Sequence, residues 1–147
     1  MGKRLLVLLF AAALFAAGCS DDDDSAASSG EGPADLQLSS SDLGETLVDA
    51  DGNTLYLFVP DGQGDSTCYD QCEANWPIVG ELSSIGGGLD AGLLGTTGRT
   101  NGDTQATYND WPLYYFANDA ASGDTNGQGI NDVWYVIDAD GNAIGAG

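Results

Sequence analysis

The sequence contains no histidine, and its one methionine is the first residue. A Ser-His-Asp triad, a Cys-His nucleophile pair, a histidine-ligated zinc and a His-ligated haem are therefore impossible within this chain. Positive charge is nearly as scarce. Three Lys and Arg stand against 23 Asp and Glu, a formal net charge of −20. Nucleic-acid binding rests on Lys and Arg that neutralise phosphates, so the charge balance excludes a nucleic-acid partner. The excess of Asp over Glu and the near absence of Lys point to a salt-rich habitat. Cysteine is limited to Cys19, Cys68 and Cys72.

The only long apolar run, Leu5 to Ala17, follows the basic pair Lys3-Arg4. It is too short to span a bilayer, which takes about 20 residues, but fits the apolar region of a signal peptide. Ala16, Ala17 and Gly18 precede Cys19. This resembles a lipobox, with Ala16 where a large aliphatic residue is usual, and implies cleavage before Cys19 and lipid attachment to it. Ser20 to about Asp42 follows, with Asp21 to Asp24, Ser, Ala, Gly and Pro33. Such a stretch buries almost nothing apolar and reads as a disordered tether with a reach of about 25 Å. The expected organisation is a signal peptide at 1–18, lipidated cysteine and acidic tether at 19–42, and one folded domain at 43–147. The expected location is extracytoplasmic, lipid-anchored to the membrane surface. Cleavage leaves Arg99 as the sole cation against 23 acids, a formal charge of −22. Arg99 should therefore have a carboxylate or loop-carbonyl partner. Salt should stabilise the fold by screening, with a smaller calcium effect through Asp61 or Asp119.

With Cys19 lipidated, Cys68 and Cys72 form an even pair and read as a disulfide. Their spacing suggests one turn of a short helix capped by Thr67, with Asp70 at its third position and Pro77 as its stop. The remaining pattern is β. Leu47 to Phe58 reads as a hairpin about Asp51-Gly52, Trp134 to Ile144 repeats it about Asp140-Gly141, and Gln105 to Phe116 turns at Asn109-Asp110. The glycine positions and the missing twelfth-position Glu exclude an EF-hand in the two Asp-Gly stretches. Leu55–Val59 and Leu113–Ala117 are apolar at both parities and should be covered on both faces. Gly80 to Gly98 reads as a flexible loop. The expected fold is mainly β, a small antiparallel sheet built from three hairpins with one short disulfide-pinned helix.

A repeat runs through this body. Tyr56, Phe58 and Asp61 lead to Gly64-Asp65-Ser66 and Trp76; Tyr114, Phe116 and Asp119 lead to Gly123-Asp124-Thr125 and Trp134. With Cys68-x3-Cys72, Trp76-Pro77, Arg99 and Gly102, and Gly123 to Gly129, the chain resembles the secreted lipoproteins that carry a repeated Tyr-x-[Phe/Trp/Tyr]-x-x-Asp motif. The resemblance covers about residues 43–141 and implies an exported lipoprotein without an assigned molecular function. Asp110 departs from it, standing where the family tends to carry glycine.

The motif itself reads first as a structural clamp, with rings packing in the strand and each Asp accepting N–H groups from the loop beyond. A rival reading joins Asp61, Asp65, Asp119 and Asp124 into a calcium site, the one cofactor considered. A third makes the Tyr and Trp rings a stacking face for polysaccharide. The expected function is non-catalytic, a membrane-anchored envelope module that binds a cation, wall polymer or protein partner. The alternative is a surface enzyme using paired carboxylates on envelope glycans.

Overall fold

The computed structural model describes residues 33–147. The expected signal peptide, Cys19 and the tether up to residue 32 lie outside them. Among the described residues, no helix is long and apolar enough to cross a membrane.

The described residues fold into three small antiparallel sheets. Strand β1 (Leu36–Ser41) pairs with β2 (Gly44–Asp49), from Leu36 opposite Asp49 to Ser41 opposite Gly44. β1 lies inside the stretch assigned above to the tether, so the folded body begins earlier than residue 43. The alternation Leu36-Gln37-Leu38-Ser39 explains it: Leu36 is fully buried and Leu38 packs against the same core. An acidic, serine-rich neighbourhood masks that two-residue period in the sequence. Strand β3 (Tyr56–Phe58) pairs with β7 (Trp134–Val136). The third sheet joins β4 (Leu94–Gly98), β5 (Thr104–Tyr108) and β6 (Trp111–Pro112) in that order. β4 corrects the loop expected over 80–98, whose final residues pair with β5.

The two Asp-Ala-Asp-Gly-Asn stretches fold alike. Asp49 Oδ1 accepts the backbone N–H groups of Asp51 and Asn53, both at 2.9 Å. Asp138 Oδ1 accepts those of Asp140 and Asn142, at 2.9 and 2.8 Å. In each, the chain reverses through a positive-φ glycine, Gly52 or Gly141. Between β5 and β6 the turn is tighter. Asn109 and Asp110 both hold left-handed φ, 54° and 65°, the conformation of a two-residue type I′ hairpin. Asparagine tolerates it; aspartate at the second position is strained relative to glycine. Asp110→Gly is expected to raise stability by about 0.5–1 kcal/mol, read as an upward shift of the denaturation midpoint.

The Cys68–Cys72 disulfide is formed, with the Cα atoms 5.2 Å apart. The helix beside it, α1 (Gln71–Asn75), begins after Cys68, with Asp70 at its N-cap in a positive-φ conformation and no side-chain cap. Thr67 does not cap it. Its N–H and hydroxyl both donate to Asp61 Oδ1, at 2.8 and 2.7 Å. The disulfide thus ties the lead-in segment to the first helical turn instead of spanning a turn within the helix.

At the centre, Tyr56 and Tyr114 exchange both backbone hydrogen bonds, at 2.9 and 3.0 Å. On either side the two repeats trade places. β3 of the first repeat pairs with β7 of the second, and Val59 N–H donates to Val133 O. Leu113–Ala117 of the second repeat pairs through Tyr114 with Ile78 of the first, while Tyr115 and Ala117 donate to Pro77 O and Asn75 O. The result is a local two-fold arrangement about the Tyr56–Tyr114 pair. Leu55–Leu57 and Leu113–Tyr114 are buried on both faces, as their apolar parity requires, whereas Val59 and Ala117 at the segment ends are exposed. Leu55, Leu57 and Leu113 enter one core cluster, Tyr56 and Tyr114 the other.

Candidate functional site

The repeat motif builds the second cluster. Trp76 and Trp134 stack face to face, 3.7 Å between centroids and 2° between planes. Phe58 stacks on the outer face of this pair against Trp134 at 4.2 Å, and Phe116 against Trp76 at 4.3 Å. Tyr56 meets Trp76 edge-on at 5.4 Å, and Tyr114 meets Trp134 edge-on at 5.1 Å. Every contact in one half has its counterpart in the other. With Trp76 and Trp134 only 5% and 3% exposed, these rings are core, and the polysaccharide-stacking face loses its principal members.

The aspartates cross between repeats. Tyr56 Oη donates to Asp119 Oδ2 at 2.7 Å, and Tyr114 Oη donates to Asp61 Oδ2 at 2.6 Å. Each tyrosine of one motif thus binds the aspartate of the other. Each aspartate also caps its own loop: Asp61 Oδ1 takes Thr67 N–H, and Asp119 Oδ1 takes Asn126 N–H at 2.9 Å. The clamp geometry expected at the loops is present. The exchange between repeats is what sequence reasoning missed, because spacing within a motif carries no information on which copy's aspartate a tyrosine meets. Gly127 closes the second loop. Its N–H donates to Tyr56 Oη at 3.1 Å, and a Cβ there would lie within 2.9 Å of Trp76 and Tyr56 ring atoms.

Burial first, and then the hydrogen bond to a carboxylate, push the phenols of Tyr56, Tyr114 and Tyr115 well above their ordinary value. A raised pKa in the fold means stability is intact below the unfolded value near 10 and is lost as pH rises beyond it. For the fully buried Tyr56 and Tyr114, the loss is expected to approach about 1.4 kcal/mol per pH unit per tyrosine above pH ~10. Denaturant midpoints measured between neutral and strongly alkaline pH would show it, and Tyr56→Phe should flatten the slope.

The two Tyr–Asp pairs differ in their surroundings. On the Asp61 side, Ser66 Oγ lies 2.6 Å from Tyr114 Oη and accepts Arg99 Nη1 at 2.7 Å. Arg99 is buried; its Nη1 also reaches Gln105 Oε1, and its Nη2 reaches Cys68 O and Glu73 Oε1, at 2.8, 2.8 and 2.7 Å. Its guanidinium sits 4.2 Å from the centre of the Tyr69 ring. Both expected kinds of partner, a carboxylate and a loop carbonyl, are present. This network seals the Asp61 end, leaving Asp61 7% exposed.

The Asp119 end opens instead on a cavity of about 380 Å³. Its wall includes Pro77, Tyr115, Phe116 and Ala117, with Asp49 and Asp119 among its polar groups. In the two-fold pairing, Tyr115 and Pro77 occupy the places that Leu57 and Tyr135 hold on the sealed side. Tyr115 Oη donates to Asp49 Oδ2 at 2.9 Å, a contact the sequence did not announce. Burial acts to raise the Asp49 pKa, but hydrogen bonds from Asn53, Tyr115 and the Asp51 N–H outweigh it and hold this carboxyl below its ordinary value.

The four aspartates considered for calcium are not brought together. Among the described residues, no three Asp, Glu or Cys side chains form a group able to hold a metal ion. Asp65 instead accepts Thr97 Oγ1, and Asp124 accepts the N–H groups of Ala120 and Ala121.

These features define a two-repeat, mainly β domain closed by reciprocal Tyr–Asp hydrogen bonds. The chain belongs to a family described as a secreted repeat of unknown function, whose model matches it twice, at residues 38–80 and 95–138. Each match contains one Tyr-x-Phe-x-x-Asp motif and one tryptophan of the stack. No curated protein and no solved structure matches the chain.

Proposed function

We propose that this protein is an exported lipoprotein, held at a membrane surface by lipid on Cys19, whose folded body is a non-catalytic module that binds an envelope ligand at the cavity beside Asp119. The observation that carries the binding role is the broken two-fold symmetry. Two equivalent Tyr–Asp pairs share one structural task, yet only Asp61 is buried beneath the Ser66–Arg99 network, while Asp119 lines a concavity of ligand size. A purely structural repeat gives no reason for that difference. The anchoring half rests on the basic pair, apolar run and small residues that end at Cys19.

Asp49 and Asp119 on one wall suggest a second reading, a surface enzyme acting on envelope glycans. Glycoside hydrolysis requires one carboxyl kept protonated as the general acid. Asp49 is held the opposite way, toward the ionised form, and so does not serve as that acid.

Anchoring is tested by Cys19→Ala, which should leave the precursor uncleaved and without lipid by intact mass of the membrane fraction; a mature N-terminus other than Cys19 contradicts it. Binding is tested by thermal shift of the exported chain with wall glycans and cations, comparing wild type with Ala117→Trp. Ala117 is exposed at the cavity wall, so an indole there can fill the space without entering the core. A ligand that stabilises only the wild type supports the site; equal stabilisation of both removes it.

A further inference from the structure

The cavity has a chemistry that selects among ligands, and this inference rests on its being the binding site. We infer that it takes an organic cation, an alkylammonium or guanidinium group held by the carboxylate of Asp119 against the ring of Phe116, with the charge of Asp49 on the same wall. The apolar part of the wall comes from Pro77, Ala117 and the half-buried Phe116 ring, which Trp76 backs at 4.3 Å and 26° and so holds in a fixed orientation. The polar part is two carboxylates: Asp49 is saturated by the N–H groups of Asp51 and Asn53, the Asn53 amide and the Tyr115 phenol and contributes charge alone, whereas Asp119 takes only the Tyr56 phenol and the Asn126 N–H and keeps acceptor sites free. Those phenols hold the anions in place but bring no positive charge.

No cation of the folded body offsets them. Arg99 is its one Lys or Arg, and its guanidinium is buried and committed to Ser66, Gln105, Cys68 and Glu73. An anionic ligand would meet unopposed negative charge. A bare divalent ion would need an oxygen shell of six or more, and no three carboxylates converge among the described residues. A cavity of about 380 Å³ also exceeds what an ion fills. An organic cation satisfies both parts of the wall: Asp119 accepts its N–H groups, Asp49 adds negative charge, and an aromatic face attracts the cation.

The protein holds one such group already. Arg99 lies 4.2 Å from the Tyr69 ring centre, with a carboxylate, a hydroxyl and a carbonyl on its nitrogens. The same three elements, an aromatic ring, a carboxylate and neutral oxygens such as that of Thr54, line the cavity without a cation of their own.

The test is calorimetric titration of the full chain in detergent with 1,4-diaminobutane, with arginine amide and with the uncharged 1,4-butanediol, all in high sodium chloride to screen the net charge. One amine is expected to bind per chain and the diol not at all. Ala117→Trp should weaken amine binding by at least about tenfold, and Asn in place of Asp140, an exposed turn acid, should leave it unchanged. Amine binding that ignores Ala117→Trp, or that falls equally with Asp140→Asn, reflects general charge and overturns the inference. Calcium binding lost in Ala117→Trp, without amine binding, replaces the organic cation by a metal. A neutral wall glycan that occupies the site, blocked by Ala117→Trp while amines do not bind, overturns the cation assignment but leaves the binding module standing. If neither amines, calcium nor glycans respond to Ala117→Trp, both fall.

Discussion

Two chains made by opening the backbone between Gly87 and Gly88 are each expected to be unfolded alone and to fold together when mixed. The first half would keep β3 but lose β7, to which all three of its residues pair. It would keep Tyr56 and Asp61 but lose Asp119 and Tyr114, their hydrogen-bond partners. The second half would keep Trp134 and Phe116, while their stacking partner Trp76 is on the other chain. Buried polar groups without partners cost about 1–3 kcal/mol each. Several such losses exceed a typical domain's reserve of roughly 5–15 kcal/mol once the lost apolar burial is added. The cut falls between two exposed glycines, so it should remove little by itself. Near-ultraviolet circular dichroism reads the Trp76–Trp134 stack directly: no signal from either half, and a native spectrum on mixing. A half that unfolds cooperatively as a monomer would show that each repeat is an independent domain.

Arg99→Met is expected to destabilise the body by about 3–5 kcal/mol, because it leaves partners of a buried charge without their donor. Glu73, Ser66, Gln105 and the Cys68 carbonyl would all lose a hydrogen bond, and the Tyr114–Asp61 pair would lose the Ser66 support beneath it. The melting temperature should fall by more than about 10 °C. Because the Arg99 side chain is fully buried, added salt should restore little of the loss, in contrast to the broad salt stabilisation expected from a formal charge of −20. An unchanged melting temperature would make the network at the Asp61 end dispensable.

Much of this architecture is legible in the sequence. The Asp-Gly turns, the Asn109-Asp110 reversal, the disulfide and the double-sided burial of Leu55–Leu57 and Leu113–Tyr114 follow from local patterns, and local patterns are what a sequence displays. A lone cation in an acidic body forecast the partners of Arg99. What was not legible is long-range. β1 was hidden because two leucines in a serine- and acid-rich stretch carry little weight until a partner strand buries them. β4 was hidden by the glycines around it. Thr67 looked like a helix cap because its nearest orphan N–H groups were visible in the sequence, whereas Asp61 reaches it only after the Val59–Asp61 turn forms. The cavity was invisible for a related reason: it arises where Tyr115 and Pro77 differ from residues that become their counterparts only when the repeats interlock.

The tyrosine of each repeat is bound to the aspartate of the other. A double-mutant cycle measures this most directly. Tyr56→Phe and Asp119→Asn should be coupled by about 1–3 kcal/mol in denaturant unfolding, while Tyr56→Phe and Asp61→Asn should add independently to within about 0.5 kcal/mol. The converse cycle, Tyr114→Phe with Asp61→Asn against Tyr114→Phe with Asp119→Asn, should give the same pattern. Coupling within a motif, Tyr56 to Asp61 and Tyr114 to Asp119, with none across, would contradict the interlocked arrangement and the asymmetry drawn from it.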